Sequence, residues 1–338
     1  MTVLSGLVIV LFAAVLQGTF ILPLNYTRGW KWEHSWFAFS AFGMLLLNAI
    51  IAFATIPSLL AIYSSTPHTD LLLLAALGFG WGIGAVLFGL GMDRLGMALG
   101  YPIIMGLIAV LGSLLPFLLF RVHDLFSSPR GPIYFLGTAL AVAGIVVCSR
   151  AAALSDQSKA SPDSNARSGL GAGLLIAIFA GVLSCLPNLG VSFGTSLIHG
   201  GKMLNVPPSR VANAVWVLFF GAGFLANSAY CFWKMGQGRN LSELLGHATR
   251  RNLALILAMA AMWIGSFYIY GLGAPRFGPA GTIFAWPLFI CVSILVGNFW
   301  GIRAGEWRGA PAEARARLRL GLAILLVSVV VISLASFG

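Results

Sequence analysis

Residues 81–98, WGIGAVLFGLGMDRLGMA, and residues 263–280, WIGSFYIYGLGAPRFGPA, share seven identities in 18 positions at an offset of 182. The matches pair Trp81 with Trp263, Gly89 with Gly271, Leu90 with Leu272, Gly91 with Gly273, Arg94 with Arg276, Gly96 with Gly278 and Ala98 with Ala280. Coincident Trp and Arg positions mark a duplicated chain. A weaker match at offset 167 sets Gly6 and Leu7 against Gly173 and Leu174, and Phe12, Ala13, Val15 and Leu16 against Phe179, Ala180, Val182 and Leu183. The first copy occupies residues 1–150 and the second 168–338, joined by a polar, Ser-rich linker at 151–167 (AAALSDQSKASPDSNAR).

Both copies are too apolar for water. Charged residues make up 9% of the 338 and hydrophobic ones 59%, whereas a soluble domain carries roughly 25% charged residues. Ten stretches of 19 or more residues contain no Asp, Glu, Lys or Arg: 1–27, 34–69, 71–92, 95–120, 131–149, 168–201, 211–233, 252–275, 277–302 and 320–338. About 20 apolar residues cross a bilayer as a helix, while a barrel strand would alternate over ~10 residues. The expected fold is therefore an all-α integral membrane protein of ten transmembrane helices. The linker leaves five on each side, and an odd number makes the second copy enter from the opposite face. Inverted repeats are the architecture of secondary transporters with a site near the bilayer midplane.

Fifteen Lys and Arg fall on the odd-numbered connections and five on the even ones, which places the odd connections in the cytoplasm and both termini outside. The net charge of +11 then faces anionic lipid, and nucleic acid is not needed to explain it. No Lys or Arg precedes the first apolar run, so a cleavable signal peptide is not expected. Cys148, Cys185, Cys231 and Cys291 lie in four different stretches without metal-ligand or disulfide-frame spacing, and the histidines pair with no acid at ligand spacing on one helix. Neither a metal nor a cofactor is expected.

Three kinds of residue could carry chemistry. Gly190-Val191-Ser192-Phe193-Gly194 spells the GxSxG of serine hydrolases, but that chemistry needs a strand-to-helix elbow and a histidine in reach. Ser192 is read instead as a packing or cavity-lining hydroxyl. Polar residues inside apolar helices face a neighbour or a cavity, and here they include Gln17, Asn48, Ser184, Asn188, Asn213, Asn227, Ser266, Tyr268, Tyr270 and Asn298. Gln17 and Ser184 are equivalent at offset 167, as Trp81 and Trp263 are at 182. An indole offers a flat apolar face and one donor, the combination that suits a sugar ring. Gln17, Trp81, Ser184, Asn188, Trp263, Ser266 and Tyr270 are the candidate substrate-binding residues. Pro187 beside Asn188 marks a place where a helix could break and free carbonyls. The acids are absent from the middles of the apolar stretches. Glu33, within Trp30-Lys31-Trp32-Glu33-His34-Ser35-Trp36, is the candidate for proton coupling, with an aromatic belt as the plainer role of its tryptophans.

At these residues the chain resembles the L-rhamnose-proton symporters of the drug/metabolite transporter superfamily. The resemblance rests on the Pro23 to Trp36 run with its W-x-W-E core and on Trp81-Gly82-Ile83-Gly84 continuing through Arg94, Gly96 and Gly100 to Gly112 and Pro116. Further matches are Met262-Trp263 with Tyr270 and Gly273, Trp286, and Glu306-Trp307. It implies a ten-helix inner-membrane carrier that imports a 6-deoxyhexose with a proton. Ala85, Leu87, Ser266 and Phe289 stand where those carriers are similar in frame but carry amides or an imidazole, which implies a changed site chemistry and leaves the substrate open. An exporter or facilitator of another metabolite, and more distantly an intramembrane serine hydrolase, are the alternatives. The oligomeric state is not legible.

Overall fold

The computed structural model describes residues 3–120, 130–157, 170–207, 210–238, 241–245, 249–305 and 307–337. All regular structure among them is helical: α1 (Val3–Thr19), α2 (Trp32–Ser40), α3 (Asn48–Thr55), α4 (Leu59–Ser65), α5 (His68–Phe120), α6 (Arg130–Gln157), α7 (Leu170–Ser184), α8 (Leu186–Phe193), α9 (Thr195–Met203), α10 (Asn213–Gly238), α11 (Thr249–Gly273), α12 (Gly281–Ala304) and α13 (Ala312–Phe337). A π turn over Ala41–Leu47 fuses α2 to α3, and 3-10 turns cover Leu22–Tyr26, Leu241–Leu245 and Ala274–Ala280. Among the described residues, nine helical stretches are long and apolar enough to cross a bilayer, and Ile103–Gly112 is a shorter apolar helix. The protein is a multi-pass membrane protein.

The outward faces confirm the solvent. On α1, Leu4, Val8, Phe12 and Val15 are exposed while Gly6, Val10, Ala13 and Ala14 are buried. Both sides of the helix are apolar, the condition of a helix with protein on one side and lipid on the other.

Helical residues run from His68 to Phe120, 53 in all. A straight helix of that length would reach about 80 Å, more than twice a bilayer core. The chain instead folds back on itself. A methyl group built on Gly91 would lie 3.3 Å from the Ile104 side chain, though 13 residues of straight helix would part them by about 20 Å. Along α7 and α8 the two halves run in opposite senses. Gly84 sits against Leu183 and Gly91 against Ala177, whereas Ile104 sits by Gly181 and Gly112 by Asn188.

Of the linker expected at 151–167, residues 151–157 belong to α6, which runs on to Gln157, since Ala151, Ala152, Ala153 and Leu154 favour helix. Residues 158–169 lie outside the described residues, as does Glu306. Between Leu170 and Met203 the helix is interrupted at Cys185 and again at Gly194. Pro187 falls in the first turn of α8, where its missing N–H is no loss.

Amide side chains hold the helices together on their protein side. Asn48 Nδ2 donates to the Met44 carbonyl at 2.9 Å and to the Trp216 carbonyl at 3.1 Å, and Asn213 Nδ2 donates to Thr55 Oγ1 at 2.8 Å. Such bonds between membrane helices contribute on average ~0.6 kcal/mol each. Close approach at the glycines adds dispersion to these bonds.

Candidate functional site

Gly43 of the Ala41–Leu47 turn, Gly78 and Gly82 of α5 and Gly223 of α10 let their helices and α11 approach closely, and the space between them is filled by rings. Trp81 and Trp263 stack on each other, 5.8 Å between centroids and 19° between planes. Around them stand Phe39, Phe220 and Phe267, at 5.2, 4.9 and 5.3 Å from Trp263. Each tryptophan rests on a glycine of the neighbouring helix. A methyl on Gly43 would lie 3.1 Å from Trp263 Cε3, and one on Gly223 would lie 2.9 Å from Trp81 Cε3. The two indoles proposed from sequence to face a sugar thus cover each other in this conformation.

Polar groups border this stack. Ser266 Oγ lies 2.7 Å from both Gln17 Oε1 and the Trp263 carbonyl, so its single proton bonds one of them and the amide oxygen of Gln17 is within reach of the Trp263 turn. Ser184 is half-buried, and its backbone nitrogen would lie 3.0 Å from a methyl on Gly84, one turn beyond Trp81. Further along, Tyr270 Oη donates to Asn188 Oδ1 at 3.0 Å, and Asn188 Nδ2 donates to the Gly112 carbonyl at 2.6 Å. Tyr270 packs edge-on to Trp286 and beside Phe289. The seven candidates fall into separate groups, joined through the rings of Phe267 and Phe289. Gln17 and Ser266 make one group with the tryptophan stack, Ser184 lies by Gly84 one turn from Trp81, and Asn188 with Tyr270 makes another group.

Glu33 stands apart. It lies in the first turn of α2, 5% exposed, where the helix dipole favours an anion. Ten residues, about 15 Å of helix, separate it from Gly43 beneath Trp263. Next to Glu33, His34 is fully buried and its Nδ1 accepts the Lys31 amide hydrogen at 3.1 Å, with Glu243 Oε2 4.0 Å away. The same rim carries a reciprocal pair, Arg28 N–H to Asn252 Oδ1 at 3.1 Å and Asn252 Nδ2 to the Arg28 carbonyl at 2.8 Å. Trp30 Nε1 donates to the Glu243 carbonyl at 3.1 Å. The first connection is therefore fastened to the Leu241–Leu245 turn and to the start of α11 on one face.

The serine motif is spent on backbone: Ser192 Oγ donates to the Asn188 carbonyl four residues back at 3.1 Å. Among the described residues no group of three His, Cys, Asp or Glu could hold a metal ion. Sequence reasoning passed over Gly43, Gly223, Phe220 and Phe267, although a third repeat match would have pointed to the glycines.

Apolar helices long enough to cross a bilayer, packed around a ring-lined centre dotted with amides and hydroxyls, define a polytopic membrane protein. Residues 1–337 match the family described as L-rhamnose-proton symport protein, and the chain belongs to that transporter family. It is similar to the L-rhamnose-proton symporter of Citrobacter koseri, 28% identical over 306 residues that cover 89% of this chain and 88% of the relative. The L-rhamnose-proton symporter of Yersinia pestis is 26% identical over 312 residues, 90% of each chain.

Proposed function

We propose that this protein is a secondary carrier that imports L-rhamnose or a related 6-deoxyhexose with a proton across a bacterial inner membrane. Two inverted five-helix repeats would alternate access to a site made of Gln17, Trp81, Ser184, Asn188, Trp263, Ser266 and Tyr270. The observation that carries the reading is the way repeat-related contacts meet at the tryptophan pair. Val10 against Gly273 has its counterpart in Ala177 against Gly91, residue for residue at the offsets 167 and 182. Gln17 with Ser266 has its counterpart in Ser184 with Gly84, and Trp81 with Trp263 is its own. A pair that maps onto itself lies on the axis relating the two copies, where carriers of this design hold their substrate.

The fastened rim supports a count of ten crossings. Arg28 and Lys31 come after the first helix and Glu243 after α10, yet they share a face, so an even number of crossings lies between them. Trp32–Thr55, His68–Gly91, Gly131–Ser155, Gly171–Met203 and Asn213–Gly238 make five. The short helix Ile103–Gly112 supplies the sixth. The positive charge on that face argues for the cytoplasm.

Right-side-out vesicles are expected to accumulate labelled L-rhamnose when the outside is made acidic, and to lose accumulation when the gradient is collapsed. Equilibration without accumulation would reduce the protein to a facilitator. With Glu33 as the coupling carboxyl, Glu33→Gln should abolish accumulation and leave downhill exchange of labelled sugar within about threefold of wild type; equal loss of both would remove Glu33 from the coupling role.

A further inference from the structure

The contacts on either side of the tryptophan pair differ in one respect, and it points to how the two faces are opened in turn. We propose that Trp36 with Asn227 and Trp216 with Asn48 are two equivalent latches between the second and seventh crossings, closing in alternation; this rests on the inverted-repeat carrier reading.

The equivalence comes from a third repeat match. At offset 180, Trp36 pairs with Trp216, Phe39 with Phe219 and Gly43 with Gly223. The contacts agree with it: Phe39 and Gly43 touch Trp263, while Phe219 and Gly223 touch Trp81. Asn48 lies 12 residues after Trp36, and Asn227 lies 11 after Trp216. The π turn Ala41–Leu47 accounts for the difference, since a π bulge takes in one extra residue and leaves the remainder of the helix on its original face. Asn48 and Asn227 therefore hold equivalent places. The two helices run antiparallel, Trp36 beside Asn227 and Asn48 beside Trp216, so the latches sit on opposite sides of the Trp81–Trp263 pair.

One latch is engaged. Trp36 Nε1 donates to Asn227 Oδ1 at 2.9 Å, and Asn227 Nδ2 donates to the carbonyls of Gly82 at 3.2 Å and Gly223 at 3.1 Å. It lies on the side of the fastened rim. The other is disengaged. Trp216 is fully buried and its Nε1 has no acceptor, an arrangement folded proteins avoid. The acceptor that the equivalence assigns to it is occupied: Asn48 Nδ2 already bonds the Trp216 carbonyl, while Asn48 Oδ1 lies 2.7 Å from the Tyr268 hydroxyl, which also reaches the Asn48 carbonyl at 2.9 Å. The equivalent of Tyr268 at offset 182 is Val86, so no hydroxyl at that position competes for Asn227. Opening the rim breaks Trp36–Asn227, and closing the far side lets Trp216 Nε1 take Asn48 Oδ1 from Tyr268.

Spin labels on Arg28→Cys and Leu241→Cys, both exposed, one on the first connection and one on the Leu241–Leu245 turn to which Trp30 fastens it, report its opening by pulsed electron resonance in lipid nanodiscs. The four native cysteines are buried. Wild type is expected to show a dominant short and a minor long distance. Trp36→Phe and Tyr268→Phe should each raise the long-to-short ratio about 3- to 10-fold, the worth of one net hydrogen bond, and Trp216→Phe should lower it by a similar factor. If Trp36→Phe and Trp216→Phe move the ratio the same way, or leave it unchanged while wild type keeps both distances, the latches are overturned and the carrier stands. A single wild-type distance with and without L-rhamnose would overturn both. Opposite shifts in a protein that accumulates no L-rhamnose would uphold the latches and reject the substrate.

Discussion

Trp263→Ala is expected to lower the initial rate of L-rhamnose uptake at least ~30-fold per folded carrier, and Trp30→Ala less than about threefold. The scale comes from the neighbours of each ring. Trp263 packs against Trp81, Phe39, Phe220 and Phe267 at the centre of the bundle, whereas Trp30 is half-buried at the rim and donates one bond to the Glu243 carbonyl. A stacked ring and its donor contribute about 1–3 kcal/mol to binding beyond area, and more when the ligand is sandwiched between two indoles as the pair parts. Truncation of so buried a Trp also costs roughly 3–5 kcal/mol of stability. The rate is therefore normalised to monodisperse protein by fluorescence-detected gel filtration, and Trp263→Phe, which keeps most of the volume, is measured alongside. Trp81→Ala should match Trp263→Ala, and the double replacement should add little, because residues acting as one unit are not additive. Similar mild losses at Trp263 and Trp30 would end the stacking role.

How far the sequence carried depended on whether a signal was local. Charge-free runs are local, so the helical membrane class came from counting, and so did the weight placed on residues 81–98 and 263–280. The relation between Trp36 and Trp216 was hidden. Only scattered identities survive there, and the π turn at Ala41–Leu47 shifts the register by one before Asn48, so no single offset aligns both the tryptophans and the asparagines. Partners across helices were not legible either. Asn48, Asn213 and Asn227 read as polar residues of the same kind as Gln17 or Asn188. Only the fold separates them, since Asn48 and Asn227 staple backbone carbonyls while Gln17 borders the tryptophans through Ser266. Stacking of Trp81 on Trp263 could not be read because it depends on how two helices cross, which the pattern of either alone leaves open.

The glycines of the α5 segment are equally indistinct in sequence and yield the largest structural effect. Gly78, Gly80, Gly82 and Gly84 recur at every second position, yet each meets something different. A methyl on Gly78 would strike the Phe219 carbonyl oxygen and lie 2.7 Å from its carbon and 2.9 Å from its Cα. On Gly82 it would lie 2.5 Å from the Gly223 carbonyl oxygen. On Gly84 it would lie 2.7 Å from Leu183 Cβ, and on Gly80 it would meet only side-chain ends, of Leu186 at 3.2 Å and Leu183 at 3.8 Å. Backbone cannot rotate out of the way as a side-chain tip can, so replacement at 78 must push α10 off α5. That separation removes the close packing on which association in lipid depends and parts the helices that carry Trp81 and Phe220. Gly78→Val is therefore expected to leave less than about a tenth of the wild-type folded peak in fluorescence-detected gel filtration, beyond the ~3 kcal/mol upper range of ordinary overpacking. Gly80→Ala, on the same helix and two residues away, should leave it within about twofold. Gly265→Ala, which meets nothing within 4 Å, should do the same. A folded Gly78→Val would mean that α5 and α10 do not approach as closely as their backbones are placed, and the contact between Trp81 and Gly223 would fall with it.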